Sequence, residues 1–473
     1  NFLAIINLIF REKRSIEATV AWVLVLTTAP AIGCILYIAV GRGISKNNMF
    51  KIKEAEDKIL KENIIDTQIK LDRNDNFEPN LIGYKDMIYA LANSNNSHFT
   101  TNNDVEIFPE PNDFFESLLE ELKKAKHHIN IQFYIFKDDE IGNKIIDILI
   151  DKAQNGVEVR LLYDAVGSRL FSDKSIHKLK KSGVKVGAFF PSFMKVINFN
   201  LNYRNHRKIV VIDGNVGFIG GNNIGDEYLG KDPKFGYWRD THLKITGDSV
   251  KDLNIRFILD WRYTTKEDLV LDKYFGNETL RLSNSKACKD IGIQIVSSGP
   301  DSTELDEIKY GYIKMIQKAK KYIYIQTPYF ILDKTLTDTL KIACFSGVDV
   351  RIMIPSKPDH PFVYWASSSY AGELLKYGAK LYNYDHNAFL HAKTIVVDDC
   401  VCSIGTANMD IRSFELNFEI NAFMYSSEVA KKQRAIFEND ILKSKEITLD
   451  MYNSRSRYMR LKESISRLLS PIL

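Results

Sequence analysis

Apolar residues in this chain fall into three patterns. The first is unbroken: Ala18–Val40 runs for 23 residues without a charge. At about 1.5 Å per residue such a run can cross a hydrocarbon layer of roughly 30 Å, so it predicts a transmembrane helix. Trp22 and Tyr37 stand near its ends, where amphipathic rings favour the interface. Thr27, Thr28, Pro30 and Gly33 are tolerated in such helices. Basic residues flank both ends (Arg11, Lys13, Arg14; Arg42, Lys46, Lys51, Lys53), so loop charge gives no orientation. The chain does not begin with Met, and the shorter apolar run Phe2–Phe10 reads as the end of an earlier helix, with residues expected before Asn1.

The second pattern is periodic and occurs twice. Ala125–Phe136 (AKHHINIQFYIF) is echoed by Ala319–Phe330 (AKKYIYIQTPYF). Asn155–Tyr163 (NGVEVRLLY) is echoed by Ser346–Ile354 (SGVDVRIMI), and Leu179–Val186 (LKKSGVKV) by Leu374–Leu381 (LLKYGAKL). Each reads as a helix end or a glycine turn leading into a short β-branched strand. Helical segments alternating with such runs predict an α/β fold with a largely buried sheet. The duplication predicts two similar lobes related by a pseudo-twofold axis.

The third pattern lies in the tail, Arg455–Leu473. Tyr458, Leu461, Ile465, Leu468 and Ile472 recur at steps of 3, 4, 3 and 4, while Arg457, Arg460, Lys462 and Arg467 lie mostly off that stripe. This predicts an amphipathic basic helix that packs on its own domain or lies on a membrane surface. The expected division is an anchor over 1–46, a charged connector over 47–98, a first lobe over 99–285, a second over 286–425 and a helical tail over 426–473. Asn93–Asn103 is polar and turn-rich, a loop.

Candidate chemistry sits inside the repeat. Asn205–Asp213 (NHRKIVVID) holds His206, Lys208 and Asp213 as H-x-K-x4-D, and Leu390–Asp398 (LHAKTIVVD) holds His391, Lys393 and Asp398 at the same spacing. Gly220 and Gly405 follow the histidines by 14 residues, Asn223 and Asn408 by 17. Two-step cleavage of a phosphodiester needs a nucleophile and a proton donor on opposite sides of phosphorus. Histidine can serve as either near neutral pH. Lys208 and Lys393 are expected to bind non-bridging phosphate oxygens, with Asn223 and Asn408 donating further hydrogen bonds. Asp213 and Asp398 complete the catalytic motifs, and are expected to hold loops without touching substrate. His98, His127, His128, His177, His242, His360 and His386 show no metal-ligand spacing.

Composition changes this picture little. The 473 residues suit two or three domains. The net charge of +4 gives no support to a nucleic-acid groove. The five cysteines (Cys34, Cys288, Cys344, Cys400, Cys402) lack C-x-x-C spacing, so neither a disulfide framework nor a zinc site is indicated.

The paired motifs resemble the HKD motifs of the phospholipase D superfamily. Other stretches resemble bacterial cardiolipin synthases: TVAW in the anchor, GGNNIGDEY and YWRDTH after the first motif, GTANMDIRSFELNFE after the second, and the ending RLLSPIL. The resemblance implies two lobes sharing one active site and a phosphohistidine intermediate. It implies transfer of a phosphatidyl group from one phosphatidylglycerol to another with release of glycerol. The expected partners are phosphatidylglycerol and membrane lipids, with no cofactor, no metal and no nucleic acid. The expected location is the bacterial plasma membrane, with the lobes on its cytoplasmic side. It also implies a carboxylate orienting each histidine: Glu419 for His391 and Asp240 for His206, with Asp226 and Glu227 as competitors in the first half. The apolar run Ala188–Phe199 is either an acyl-chain entrance or an ordinary core segment. Another phospholipase D-type phosphatidyltransferase or hydrolase is the alternative activity. A membrane lipid-binding protein without catalysis is the alternative from another class.

Overall fold

The computed structural model describes residues 1–10, 16–37, 82–191, 203–274, 290–300 and 306–470. Most of the expected connector, the end of the apolar run beyond Tyr37, residues 192–199 and Cys288 lie outside the described residues.

The repeat becomes two sheets of matching order. In the first the strands run Asn103–Phe108, His242–Gly247, Val216–Gly220, Ile209–Ile212, His128–Phe133, Glu158–Asp164, Lys185–Phe189. In the second they run Gly292–Ser298, Asn417–Tyr425, Val401–Gly405, Thr394–Val397, Tyr322–Gln326, Asp349–Ile354, Lys380–Asn383. The second sheet adds Phe99–Thr100 at one edge and Lys445–Ile447 at the other. Residues 99–100, expected to open the first lobe, therefore belong to the second sheet. The end of the connector packs against the same half: the helix Lys85–Asn95 places Met87, Ile88 and Leu91 in its outer core.

Local chemistry repeats as well. Asp139 and Asp333 cap equivalent helices, accepting from the backbone N–H of Gly142 (3.2 Å) and Leu336 (2.9 Å). The turns after those helices place Gly156 at φ +88° and Gly347 at +81°, where a side chain would be strained.

One continuous core fills the space between the two sheets. Val211, Leu243 and Phe257 from the first half meet Val396, Ile404 and Phe418 from the second, and the helix Val250–Thr265 and the inner face of Ser427–Ile441 pack there. The outer faces have separate cores. Phe189 and Phe190 are 1% and 7% exposed in the central core, packed on Tyr263 and Phe418. They are core residues and not the walls of an acyl entrance; Phe193 lies outside the described residues.

The apolar N-terminal run does not form one helix. It breaks into Ile16–Thr28 and Pro30–Leu36 at Ala29, whose φ of −130° is not helical. Pro30 has no N–H to continue the ladder and its ring restricts the residue before it. The second piece turns back on the first: a Cβ on Gly33 would lie 2.6 Å from the Val25 carbonyl oxygen. Trp22 and Tyr37 meet edge to face at 5.7 Å. Among the described residues no helix is long and apolar enough to cross a membrane, so the structure does not confirm the expected single span.

The tail helix forms over Arg457–Leu469 and packs on the helix Pro361–Leu374.

Candidate active site

His206 and His391 line one cavity of about 490 Å³ at the junction of the two halves. The backbone brings each there in the same way. Arg204–Asn205 pairs in parallel with Asn417–Phe418, and the His206 N–H donates to the Phe418 carbonyl at 2.9 Å. Ala388–Leu390 pairs in parallel with Tyr237–Arg239, and the His391 N–H donates to the Arg239 carbonyl at 2.7 Å. Each motif thus enters the site as a short strand added to a segment of the other half.

That crossing decides the carboxylate partners. Nδ1 of His206 lies 2.9 Å from both carboxylate oxygens of Glu419, and Nδ1 of His391 lies 2.6 Å from Oδ2 of Asp240. The expected pairing is therefore reversed: Glu419 serves His206, and Asp240 serves His391. Partners chosen along the sequence stay within one half, whereas the added strands carry each histidine to the other. The competitors are engaged elsewhere. Asp226 accepts the backbone N–H groups of Glu140 and Ile141, and Glu227 pairs with Lys137 at 2.5 Å. With Nδ1 held, Nε2 is the nitrogen left to each histidine for substrate.

Burial dominates the electrostatics. It lowers the His206 pKa to about 4 against the opposing pull of Glu419. His391 falls to about 4 by burial and Lys393, opposed by Asp240. Both imidazoles are therefore neutral at pH 7. Burial raises the cost of ionising Glu419 and Asp240, but the hydrogen-bonded histidines and the nearby lysines outweigh it and both carboxyls stay below the usual range. Burial also pulls Lys208 down to about 7 and Lys393 to about 8. Each lysine donates Nζ–H to the carbonyl of its own motif histidine, at 2.6 Å for Lys208 and His206. An incoming phosphodiester anion would favour their charged forms.

Asn223 and Asn408 also line the cavity. Asn223 accepts from the Ile135 N–H at 3.0 Å and donates to the Tyr228 hydroxyl at 3.2 Å. Asn408 lies 3.5 Å from Oδ2 of Asp410, whose carboxyl is pushed up to about 6 by burial. Asp213 and Asp398 stand apart from this group. Asp213 accepts from the backbone N–H groups of Lys126, His127 and His128 at 2.7–2.9 Å. Asp398 does the same for Lys320, Lys321 and Tyr322 at 2.6–2.9 Å. Among the described residues no group of three or more His, Cys, Asp or Glu side chains could hold a metal ion.

A layer beneath the histidines was missed. Arg207 donates to Asp260 at 2.7 and 2.9 Å and to the carbonyls of Glu419 and Ser298. Arg239 donates to Asp440 at 3.0 and 3.1 Å. Gln132 and Gln326 donate to those same aspartates at 2.8 and 2.7 Å. Every member is buried, so a paired, hydrogen-bonded arginine–aspartate–glutamine unit lies beneath each catalytic strand, one within the first half and one bridging the two halves. The signal was present: Gln132 and Gln326 occupy the same place in the NIQF and YIQT strands.

The family model described as cardiolipin synthase, phospholipase D-like domain, matches residues 118–233 and 312–441, and a phospholipase D–nuclease N-terminal model matches residues 1–42. A cardiolipin synthase of Oceanobacillus iheyensis is 48% identical over 100% of this chain and 97% of its own length. The major cardiolipin synthase ClsA of Bacillus subtilis is 49% identical over the same shares. The crystal structure of phosphatidylserine synthase from Haemophilus influenzae superposes with a TM-score of 0.62 at 16% identity, covering 82% of this chain and 100% of that one, a likeness of fold. The chain is a member of the cardiolipin synthase family built on paired phospholipase D-like domains.

Proposed function

We propose that this protein is a membrane-associated phosphatidyltransferase that makes cardiolipin from two molecules of phosphatidylglycerol. The observation that carries the reading is the crossed constellation: two neutral histidines from the two halves in one cavity, each with Nδ1 on a buried carboxylate. Full-length relatives near half identity that are named cardiolipin synthase support the choice of substrate.

In the proposed course Nε2 of His206 attacks phosphorus, and the bond to the glycerol headgroup breaks. His391, neutral in the free protein, takes up a proton from solvent as the phosphodiester anion binds, and gives that proton to the departing alkoxide. The products are glycerol and a phosphatidyl group bonded to His206. The imidazolium character gained by His206 is stabilised by Glu419, as that of His391 is by Asp240. Lys208 and Lys393 bind the equatorial phosphate oxygens, with Asn223 and Asn408 beside them. His391, now neutral, takes the proton from the hydroxyl of a second phosphatidylglycerol. That oxygen attacks phosphorus, cardiolipin forms and His206 is released. The assignment of His206 as nucleophile rests on the family resemblance. Asp213 and Asp398 act on the loops that carry the strands and touch neither step.

The test is incubation of the purified protein with vesicles of pure phosphatidylglycerol, followed by mass analysis of lipids and assay of glycerol. Cardiolipin and glycerol in equal amounts are expected, with phosphatidic acid minor. Phosphatidic acid as the chief product would replace the synthase by a hydrolase. No turnover at all, with the fold intact, would favour a lipid-binding role.

A further inference from the structure

The tail helix Arg457–Leu469 is seated with its polar side inward. Glu463 and Ser466 are 4% and 0% exposed, while Tyr458, Leu461, Ile465 and Leu468 are 67%, 57%, 44% and 75% exposed. Polar contacts hold the inner face. Arg455 donates to Glu463 at 2.9 and 3.1 Å, Arg467 pairs with Glu373 at 2.6 Å, and the Ser470 hydroxyl meets that of Tyr370 at 3.0 Å. A helix usually buries its apolar stripe and wets its polar one. Here the fold uses the polar face for docking and leaves the apolar stripe to solvent.

Two further features say what covers that stripe. The helix carries Arg457, Arg460 and Lys462 beside the Glu373-bound Arg467, against a single acidic residue, Glu463, which is buried and paired. Its outer surface is thus apolar with a basic border, complementary to an anionic lipid surface. A second copy docked face to face would bring like charges together. The helix is also joined to the site. Ser470 at its end lines the cavity that holds His206 and His391, as do His360 and Val363 at the start of the helix beneath it, next to Phe362, which is 48% exposed.

We propose that the outer face of Arg457–Leu469, with Phe362, docks on the anionic bilayer and sets the mouth of the catalytic cavity against the lipid headgroups. The tail is then both part of the folded body and a membrane contact, the two alternatives left open by its sequence. The docking itself does not depend on the cardiolipin reading; its effect on turnover does.

The test uses the full chain with the photoreactive residue p-benzoylphenylalanine placed at Leu461, at Leu468, or at the exposed Lys334 as control. Irradiation in phosphatidylglycerol vesicles should give a lipid adduct at both tail positions and not at Lys334. A dimer band would assign the face to a second copy, an intrachain product would assign it to another part of this chain, and no adduct above the control would leave it in water. Each of these overturns the proposal. In parallel, L461E with L468E should lower turnover of vesicle phosphatidylglycerol at least about tenfold. Turnover of a monomeric short-chain phosphatidylglycerol and the melting temperature should stay unchanged. A fall in melting temperature would make the stripe core and sink the docking. Failure of the unaltered protein on the short-chain lipid would instead sink the cardiolipin reading, leaving the crosslinks to judge the docking.

Discussion

His206 and His391 share a backbone setting and differ in what surrounds it. Both hang from a short strand added to the other half, and both give Nδ1 to a carboxylate from that half. They differ in the side chains packed beside them. His206 lies against Tyr134, with ring centroids 5.0 Å apart, and Arg204 and Arg412 line the cavity with it. His391 lies against Trp238 at 5.0 Å and Phe389 at 6.2 Å. Their carboxylates also differ. Thr406 donates its hydroxyl to Glu419 at 2.6 Å, whereas the matching position in the first half is Gly221, where a Cβ would fall 2.0 Å from Asp240. Duplication therefore supplies the common frame of nucleophile and acid, and the flanks supply the difference by which two like histidines can take unlike roles.

The largest effect that can break this comparison is loss of either histidine. H206A and H391A should each lower turnover by about 10⁴ or more, since the two act as one unit. If one variant keeps substantial turnover, the two histidines do not serve one reaction.

E419Q and D240N should each cost about 10²–10⁴ in kcat by losing the orienting charge. The crossed pairing makes a sharper statement. E419Q should shift the Nδ1 proton resonance of His206 alone, and D240N that of His391 alone. The opposite pattern would restore pairing within each half. G221A should mimic D240N more weakly by displacing the Asp240 carboxylate.

Core substitution separates packing from chemistry. F189A should cost about 3–5 kcal/mol of stability, measured by denaturant unfolding. The ratio of cardiolipin to phosphatidic acid per folded molecule should not change. A rise in phosphatidic acid without loss of stability would return this residue to the entrance.

The pH dependence follows from the buried histidines. Their folded pKa values of about 4 lie below the ordinary 6.5. The unfolded chain thus binds protons that the folded one refuses, and stability should fall as pH drops from about 6.5 to about 4. Replacing both by Asn should reduce that fall, as read by thermal melting, and leave the share owed to the buried His128 and His242, whose pKa values are also lowered, to about 4 and about 3. At the other end Lys208 and Lys393 lose their charge near 7 and 8 in the free protein. The proton demand of His391 already lowers kcat/KM above about pH 4, and across the lysine range the decline should steepen by up to about tenfold per pH unit for each lysine that must be charged.

The smallest effect is expected at the motif aspartates. D213N and D398N each turn one of the two oxygens that serve three backbone N–H groups into an NH2 donor, so at least one of the three bonds is lost. They should cost about 1–3 kcal/mol of stability, with kcat little changed. A loss of kcat as large as that of E419Q would place them in the chemistry.

What the sequence revealed and what it hid have physical reasons. Repeated strand and turn signals, such as NGVEV and SGVDV, depend on local periodicity and glycine conformation, so both sheets could be read from them. The histidines, lysines and asparagines stood out by doubled spacing. The carboxylate pairing did not, because it depends on which half each short strand joins, and two- or three-residue strands leave almost no periodic trace. Arg207 and Arg239 were hidden for a related reason. They fill the same kind of place under the two catalytic strands but come from different points of the repeat, as HRK against HAK shows. The uncharged N-terminal run was read by length alone, and the break at Ala29–Pro30 lies inside it.

The most direct test of the shared, divided site is to trap its intermediate. H391N removes the proton donor for glycerol departure and the base for acceptor attack, while leaving the Glu419–His206 pair in place. After exposure to phosphatidylglycerol, peptide mass analysis should find a phosphatidyl group on His206, and H206N should carry none on His391. An adduct on His391 in H206N, with none on His206 in H391N, would contradict the account.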